Sequence, residues 1–545
     1  LICSAPTLDD YGYYFGINTV KDSHYKIFKD NGYETYSFYY PYYIISNETI
    51  KSIDHTVYSG GFVYSAIWRG QFEYYKKIKE HRELTKDEIK LLDKFVCLLF
   101  DCWETYYKKI IEEPESRILI DYLIDLNKIE KSLKKLEEEQ RKFDLDHNKY
   151  IAGILEEEMS HPLADVDCIE REKYADNDFL RKVYSSNRDR FRKIQKVNKW
   201  SNILNNRVSG RYVLSSIKSF FETGNKDHLR YFYNIYCCLN APNKMIKDSL
   251  NGVWQEMPSA RTQIRKGIEI LKKRELTNKP FYMLFHVLDA HERISYFSYD
   301  SNDLTLVSEE IKDAEEFASK NKKHFKGNIV YQLSLHYIDA CISELFHYLS
   351  ESGLDKNTTV MIVADHGSSY TYFPIRKNVV NNYHRENYNI PALIWNRNLP
   401  KNILNGYYMS SDLYKTLYAT CGMKSDYRHI KGIDAMEYPN GRDYVISEYM
   451  GPGCPDMLTK EVWLSIRNKE YLLAFKCHLN EQMSISKLVE AYDLKNDPLE
   501  MRNIASFINL KDTTVSAMYN IIKERFDEIC ANRDSFINTI DEIII

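Results

Sequence analysis

The 545-residue chain lacks a charge surplus of either sign: 74 basic residues stand against 78 acidic ones, a formal net charge of −4. Nucleic acid or an anionic membrane as the main partner is therefore not expected, because either would call for a basic patch. The chain also lacks any apolar run approaching the ~18–20 residues that cross a bilayer, so no transmembrane helix is expected. No secretory signal pattern is present. The eleven cysteines have no CxxC and no regular spacing, and Cys237-Cys238 is the one adjacent pair. Such an irregular set reads as reduced thiols and predicts a cytoplasmic setting. The sequence opens at Leu1 within a strand-like run, Leu1-Ile2-Cys3. The true N-terminus is therefore expected upstream, together with any signal sequence.

What is present is length, aromatic content and a few chemically loaded strand ends. A chain of this size exceeds one ordinary core, so two or three domains are predicted. The 45 tyrosines and 14% aromatic content fit a folded protein, with core packing as their default use and sugar stacking as the functional alternative. The informative stretch is Asn357 to Gly367. Val360 to Val363 form an apolar run without polar alternation, as in a strand covered on both faces. The run leads to Asp365, His366 and Gly367. In open α/β sheets ligands sit at the carboxyl ends of strands. An Asp beside a His there is a plausible metal pair, and Gly367 lets the backbone turn away. A plain strand-end turn with a capping Asp is the alternative.

A second apolar strand, Pro280 to Phe285, leads to His286, Asp289 and His291. Three ionisable groups within six residues of a strand end again point to a site. A helix of about 329–352 separates the two strands, with Tyr331, Leu335, Ile338, Ile342, Leu345 and Leu349 on its predicted buried face, and Gly353 ends it. Strand, helix and strand in this order predict a parallel pair with a right-handed crossover. Nearer the start, a helix of about 20–30 is closed by Gly32 and followed by a strand over 34–40. From about 55 to 275 the chain is charged, poor in Pro and Gly, and helical in pattern. Leu126, Ile129, Leu133, Leu136, Gln140 and Phe143 form an a/d seam of about two and a half heptads. Thr85 and Glu88 make a capping box. Further on, 411–420 reads as a helix, 444–448 as a strand, 462–475 as a hairpin, and the chain from about 513 as a terminal helix.

Several of these segments, in the same order, resemble the sulfatase branch of the alkaline-phosphatase superfamily. Asn31-Gly-Tyr-Glu-Thr-Tyr36 is similar to its GYET strand, and Pro280 to His291 to its PFF strand with the histidine turn. Tyr337-Ile-Asp339 with Val360 to Gly367 resembles its D…TLVIFTSDHG segment. His384 to Trp395 resembles HG…VPLIIW, and Ser411-Asp412 the DI.PTLL helix. Ile466-Arg467 to Leu473 resembles aIR…yKLI, and Ala491 to Pro498 resembles eLYDLenDP. The resemblance implies an α/β/α sandwich with a mixed, mainly parallel sheet. It also implies a divalent metal (Ca, Mg, Mn or Zn) at the strand ends and a nucleophile attacking sulfur or phosphorus. The implied substrate is a small-molecule or glycan ester.

Carried over by position, Asp365 and His366 match the metal ligands. His291 matches the histidine on the transferred group, with His286 and Asp289 as outer candidates. His384, beside Arg385, matches a later substrate or metal position. The N-terminus departs from the pattern. On one alignment Ser4-Ala-Pro-Thr7-Leu8 fits the nucleophile context, so Thr7 is the nucleophile, while Asp9-Asp10-Tyr11 replaces the family's Pro-Ser-Arg. Threonine cannot become formylglycine, which turns the expectation toward phosphoryl chemistry. Under this alignment the first acidic metal ligands lie before Leu1. On a second alignment Asp9 and Asp10 are themselves the first-strand metal pair. The alternative function is a catalytically inactive sulfatase-fold binding or scaffold protein.

The expected organisation is thus four parts. Residues 1–54 start the sulfatase-like α/β domain, 55–275 form a helical insertion or lid, 276–440 form the main α/β domain, and 441–545 form a C-terminal α+β subdomain. A homodimer through the helical region is expected.

Overall fold

The computed structural model describes residues 23–38, 47–56, 72, 75–112, 126–156, 177–205, 217–218, 220–221, 258–274, 279–292, 296–322, 329–367, 385–423, 431–449, 461–479, 488–498, 500 and 503–539. Its described strands form three groups. The first is parallel and has the order β2-β1-β3, with β1 at Glu34–Phe38, β2 at His55–Thr56 and β3 at Phe281–Phe285. Glu34 lies opposite Phe281 and Phe38 opposite Phe285, so β1 and β3 end together at their carboxyl edge. The helix His24–Asp30 leads into β1. Ser23 caps its start, and Gly32, at φ +83°, turns the chain back as the sequence requires.

The second group pairs β4, Val360–Val363, with β5, Ala392–Trp395, in antiparallel register, Val360 opposite Trp395 and Val363 opposite Ala392. The expected direct β3–β4 parallel pair is not present among the described residues. There β3 bonds to β1 and β4 bonds to β5, and the two meet through side chains instead: Tyr282 and Leu284 share an apolar cluster with Met361. Strand direction in a parallel sheet is set by neighbours far away in sequence, which the local pattern does not encode.

The helix Ile329–Glu351 spans the chain between β3 and β4, and Gly353 at φ +74° follows it. Its buried face is the predicted one at Leu345 and Leu349 but not nearer the helix start. Val330, Leu333, Tyr337, Cys341 and Leu345 are buried, whereas Leu335 is 40% exposed. The helix is apolar around much of its girth, so spacing alone admits two faces about 100° apart. Partners select between them. Helices Ala260–Arg274 and Leu304–Asn321 pack against Ile329–Glu351, and Val307, Ile311 and Ala314 are buried in its cluster.

The third group is an antiparallel meander of β6, Val445–Tyr449, β7, Glu461–Arg467, β8, Tyr471–His478, and β9, Leu488–Asp493. The hairpin expected over 462–475 is β7–β8, with Leu464 opposite Phe475. One face is covered by the helix Thr513–Asn538, whose Val515, Met518, Ile522, Phe526 and Ile529 are buried against Val462, Leu464, Ile466 and Phe475.

The helical stretch contains Lys86–Glu112, Leu126–Leu145, His147–Glu156, Asn177–Ser186 and Arg188–Asn205. The capping box forms: the Thr85 amide donates to Glu88 at 2.8 Å and the Glu88 amide to the Thr85 hydroxyl at 3.2 Å. Of the a/d seam, Ile129, Leu136 and Phe143 are buried and Leu133 packs beside them, while Leu126 at the helix start is exposed. The helix Lys86–Glu112 reaches further than its own bundle. Leu91 is buried in the meander's core, and Leu98 and Cys102 are buried with Tyr25, Ile27 and Ile53 beside β1. No described helix is long and apolar enough to cross a membrane.

Candidate functional site

The geometry of the candidate site begins where β4 ends. The Ala364 amide makes one last bond to the Pro391 carbonyl, and the chain then leaves the sheet. Asp365 and His366 follow, both more than half exposed. The Asp365 carboxylate accepts the His366 amide at 2.8 Å through Oδ1. This leaves Oδ2 3.6 Å from His366 Nε2. His366 Nδ1 lies 2.6 Å from the Gly367 carbonyl, which can only accept, so Nδ1 carries the proton. Nε2 is then the ring's acceptor in the neutral form, the arrangement that a metal-binding imidazole adopts. The Gly367 amide donates to the Asn387 carbonyl at 2.5 Å. That bond joins the Asp365–Gly367 turn to the short helix Arg385–Tyr388, which directly follows His384.

The carboxyl end of β3 is organised differently. The His286 amide donates to the Phe38 carbonyl of β1 at 3.2 Å, and its own carbonyl accepts from the buried Gln263 amide group at 3.0 Å. Asp289 opens the short helix Asp289–Glu292, which includes the backbone of His291. The Asp289 carboxylate is buried and accepts the Ala260 amide at 3.0 Å. Its place is thus at the N-terminus of the helix Ala260–Arg274, where the helix dipole favours an acid. Asp300 sits at the same helix end, accepting the Ser259 amide at 2.9 Å and hydroxyl at 2.7 Å. Burial raises the Asp300 carboxyl above its ordinary range in spite of these bonds.

Behind this helix end lies a polar cluster that sequence patterns did not signal. Arg261 pairs with Glu310 at 2.6 Å and with Glu344. Glu310 accepts the Ser298 amide and hydroxyl, each at 2.7 Å, and the Ser298 hydroxyl lies 2.9 Å from that of Tyr337. Cys341 adjoins it, its thiol pushed up to about 12 by burial. Each member is bound to another, so the cluster reads as a brace between helices.

Of the residues singled out from sequence, the structure brings the Asp365–His366 turn and Arg385 close through Gly367 and Asn387. Arg385 itself turns away, its guanidinium donating to the Pro498 carbonyl at 2.9 Å. Thr7, Asp9, Asp10 and His384 lie outside the described residues, as does the side chain of His291. Among the described residues, no group of three or more His, Cys, Asp or Glu side chains stands ready to hold a metal ion. Asp365 and His366 thus offer two donors, one oxygen and one nitrogen, and such a pair suits a divalent cation only when others complete it.

Comparison with known proteins bears on the family. No curated protein matches the chain significantly. Among solved structures, the sulfatase candidate yidJ from Bacteroides fragilis is similar at 16% identity and a TM-score of 0.37, over 50% of this chain and 59% of its own length. A 4S-sulf protein of Bacteroides thetaiotaomicron, described with the metabolism of multiple glycosaminoglycans, is similar at 17% identity and a TM-score of 0.34, over 52% and 61%. The chain thus spans little more than half the length of these structures. Residues 192–423 match the sulfatase family model, beginning inside the helical stretch and including β3, β4 and β5. Over that stretch, which is less than half of its length, the chain is similar to the sulfatase family.

Proposed function

We propose that this chain is a metal-dependent hydrolase or transferase of a sulfate or phosphate ester, with a glycan-borne ester as the substrate class. The observation that carries the reading is the Asp365–His366 pair, exposed at a strand end with Oδ2 and Nε2 3.6 Å apart. A divalent cation held there supplies charge neutralisation for the anionic ester and lowers the pKa of the attacking group. Asp365 and His366 contribute two of its donors. Thr7 is the proposed nucleophile, attacking sulfur or phosphorus while its proton passes to a base. His291 and His384 steady the anion or protonate the leaving oxygen. On the alternative alignment Asp9 and Asp10 are the acidic metal ligands, and Thr7 is then not the nucleophile. We place the active parts in 1–54 and 276–440, with 55–275 as an insertion that shapes access or dimer contact and 441–545 as a C-terminal subdomain.

One feature favours a second reading, an inactive binding protein: Asp9-Asp10-Tyr11 stands where the family has Pro-Ser-Arg. Metal content separates the two, together with hydrolysis of p-nitrophenyl sulfate, p-nitrophenyl phosphate and a phosphodiester. The enzyme reading expects bound divalent metal and turnover of at least one ester, lost in Thr7→Ala and in Asp365→Asn. A protein that binds no divalent ion and cleaves none of the three sinks it. Turnover unchanged in Thr7→Ala removes Thr7 from the role of nucleophile.

A further inference from the structure

Glu500 is unusual in three ways at once. It is 1% exposed, it carries a charge, and its φ is +56°, the only positive φ of a non-glycine residue among those described. A side chain with a Cβ resists the left-handed region, so the conformation persists only where surroundings impose it. The carboxylate pairs with Arg467 at the end of β7 and accepts the Arg385 amide at 3.2 Å. The Tyr388 hydroxyl lies within 3.4 Å of it. The Arg467 guanidinium lies over the Tyr388 ring, 4.5 Å from its centre, and Arg385 reaches the Pro498 carbonyl. Burial raises the Tyr388 phenol, so it remains a donor.

We propose that Glu500 is a positioning residue for the candidate site, clamping the antiparallel meander to the Arg385–Tyr388 turn and, through Asn387 and Gly367, holding the Asp365–His366 turn in place. A buried ion pair contributes little net stability compared with an apolar contact of the same shape. Its directional bonds fix geometry instead. Here two of the Glu500 contacts, with the Arg385 amide and the Tyr388 hydroxyl, reach the segment between His384 and β5, while the third holds Arg467 on β7. Three of the four residues of the Arg385–Tyr388 turn are engaged, two by Glu500 and Asn387 by Gly367. The site role rests on the reading of Asp365 and His366 as metal ligands, whereas the clamp is a statement about backbone order alone.

The experiment measures both in the full chain. Hydrogen exchange is followed in peptides covering 361–367 and 385–390, with the β7–β8 peptides as internal reference, and Mn2+ affinity is measured by calorimetry. Glu500→Gln exchanges a charged acceptor for a neutral one. We expect about tenfold faster exchange in both site peptides, the ratio of one charge-assisted bond to a neutral one, with the meander unchanged and Mn2+ binding weakened. Tyr388→Phe keeps the ring beneath Arg467 and should show the same pattern more weakly, which covers the case in which Glu500→Gln fails to fold. Exchange at 361–367 equal to wild type in the folded variants overturns the clamp, whatever the Mn2+ result. Faster exchange in a protein whose wild type binds no Mn2+ supports the clamp and removes the metal reading instead.

Discussion

Replacing Asp412 by alanine tests how the helix Ser410–Thr420 is held. The Asp412 carboxylate has no exposure, while the Arg442 side chain that pairs with it is 27% exposed. Oδ2 accepts the Met409 amide at 2.7 Å and Arg442 Nε at 2.9 Å. Oδ1 accepts the Ile433 amide at 2.8 Å and Arg442 Nη2 at 2.6 Å. One carboxylate thus satisfies the helix start, the 431–442 loop and an arginine together. Removing one partner of a buried pair costs about 3–5 kcal/mol. Water can reach Arg442, which places Asp412→Ala near the lower end, at ~3 kcal/mol. This lowers Tm by a few degrees, the shift per kcal/mol shrinking as the cooperative unit grows. Arg442→Ala should cost a similar amount, because it leaves the carboxylate charge buried with two amides. The double variant decides the matter. If the pair acts as one unit, its loss is close to that of the worse single, a coupling of about 1–3 kcal/mol. Thermal melts of the four proteins read this out, and losses that simply add would refute the reasoning.

Three further outcomes follow from local geometry. Thr85→Ala removes one half of the capping box at the start of Lys86–Glu112 and should cost about 1 kcal/mol by urea titration, Glu88 remaining held by Arg82. Asp54 is burdened by burial, yet Lys29 and Thr35 more than offset this and hold its carboxyl below the ordinary range. A depressed carboxyl contributes stability above its unfolded pKa and loses it as pH falls through the folded value, so the loss lies below about pH 4; Asp54→Asn should flatten that acid limb of the stability profile. The Cys341 thiol, buried and pushed up to about 12, should resist iodoacetamide at pH 8 in the native protein and react once urea unfolds it; labelling of the folded chain at this site, read by peptide mass mapping, would contradict its burial.

The parts legible in the sequence were those set by short-range chemistry. Gly32, Gly353 and Gly422 all take positive φ where a helix ends, because only a residue without Cβ does so at no cost. Thr85 and Glu88 announced a helix start, and the alternation from Val462 to Phe475 announced a hairpin. What failed was set by distant partners. The first half of the buried face of Ile329–Glu351 was misplaced because Leu335 and Leu333 are equally apolar, and only the neighbouring helices decide between them. The partner of β4 was misassigned because strand order is a property of the assembled sheet. The bond of the Asp289 carboxylate to the Ala260 amide joins residues 29 apart, so no local pattern announced it. Glu500 gave no sign beyond following the Asp497-Pro498 turn, since its burial depends on Arg467 from a separate strand. Of the candidate site, the position of Asp365 and His366 just past β4 was readable, because an apolar run followed by Asp-His-Gly marks a strand end locally.

The helix Lys86–Glu112 has a consequence for how the molecule comes apart. Leu91 completes the core of the meander, Phe95, Phe100 and Trp103 belong to the helical bundle, and Leu98 and Cys102 close the cluster beside β1. Fraying this one helix strips apolar cover from three cores together, with Leu91 its one contribution to the meander. Cooperativity is thereby transmitted along a single rod, and calorimetry should record one merged melting transition where three separable ones would otherwise appear.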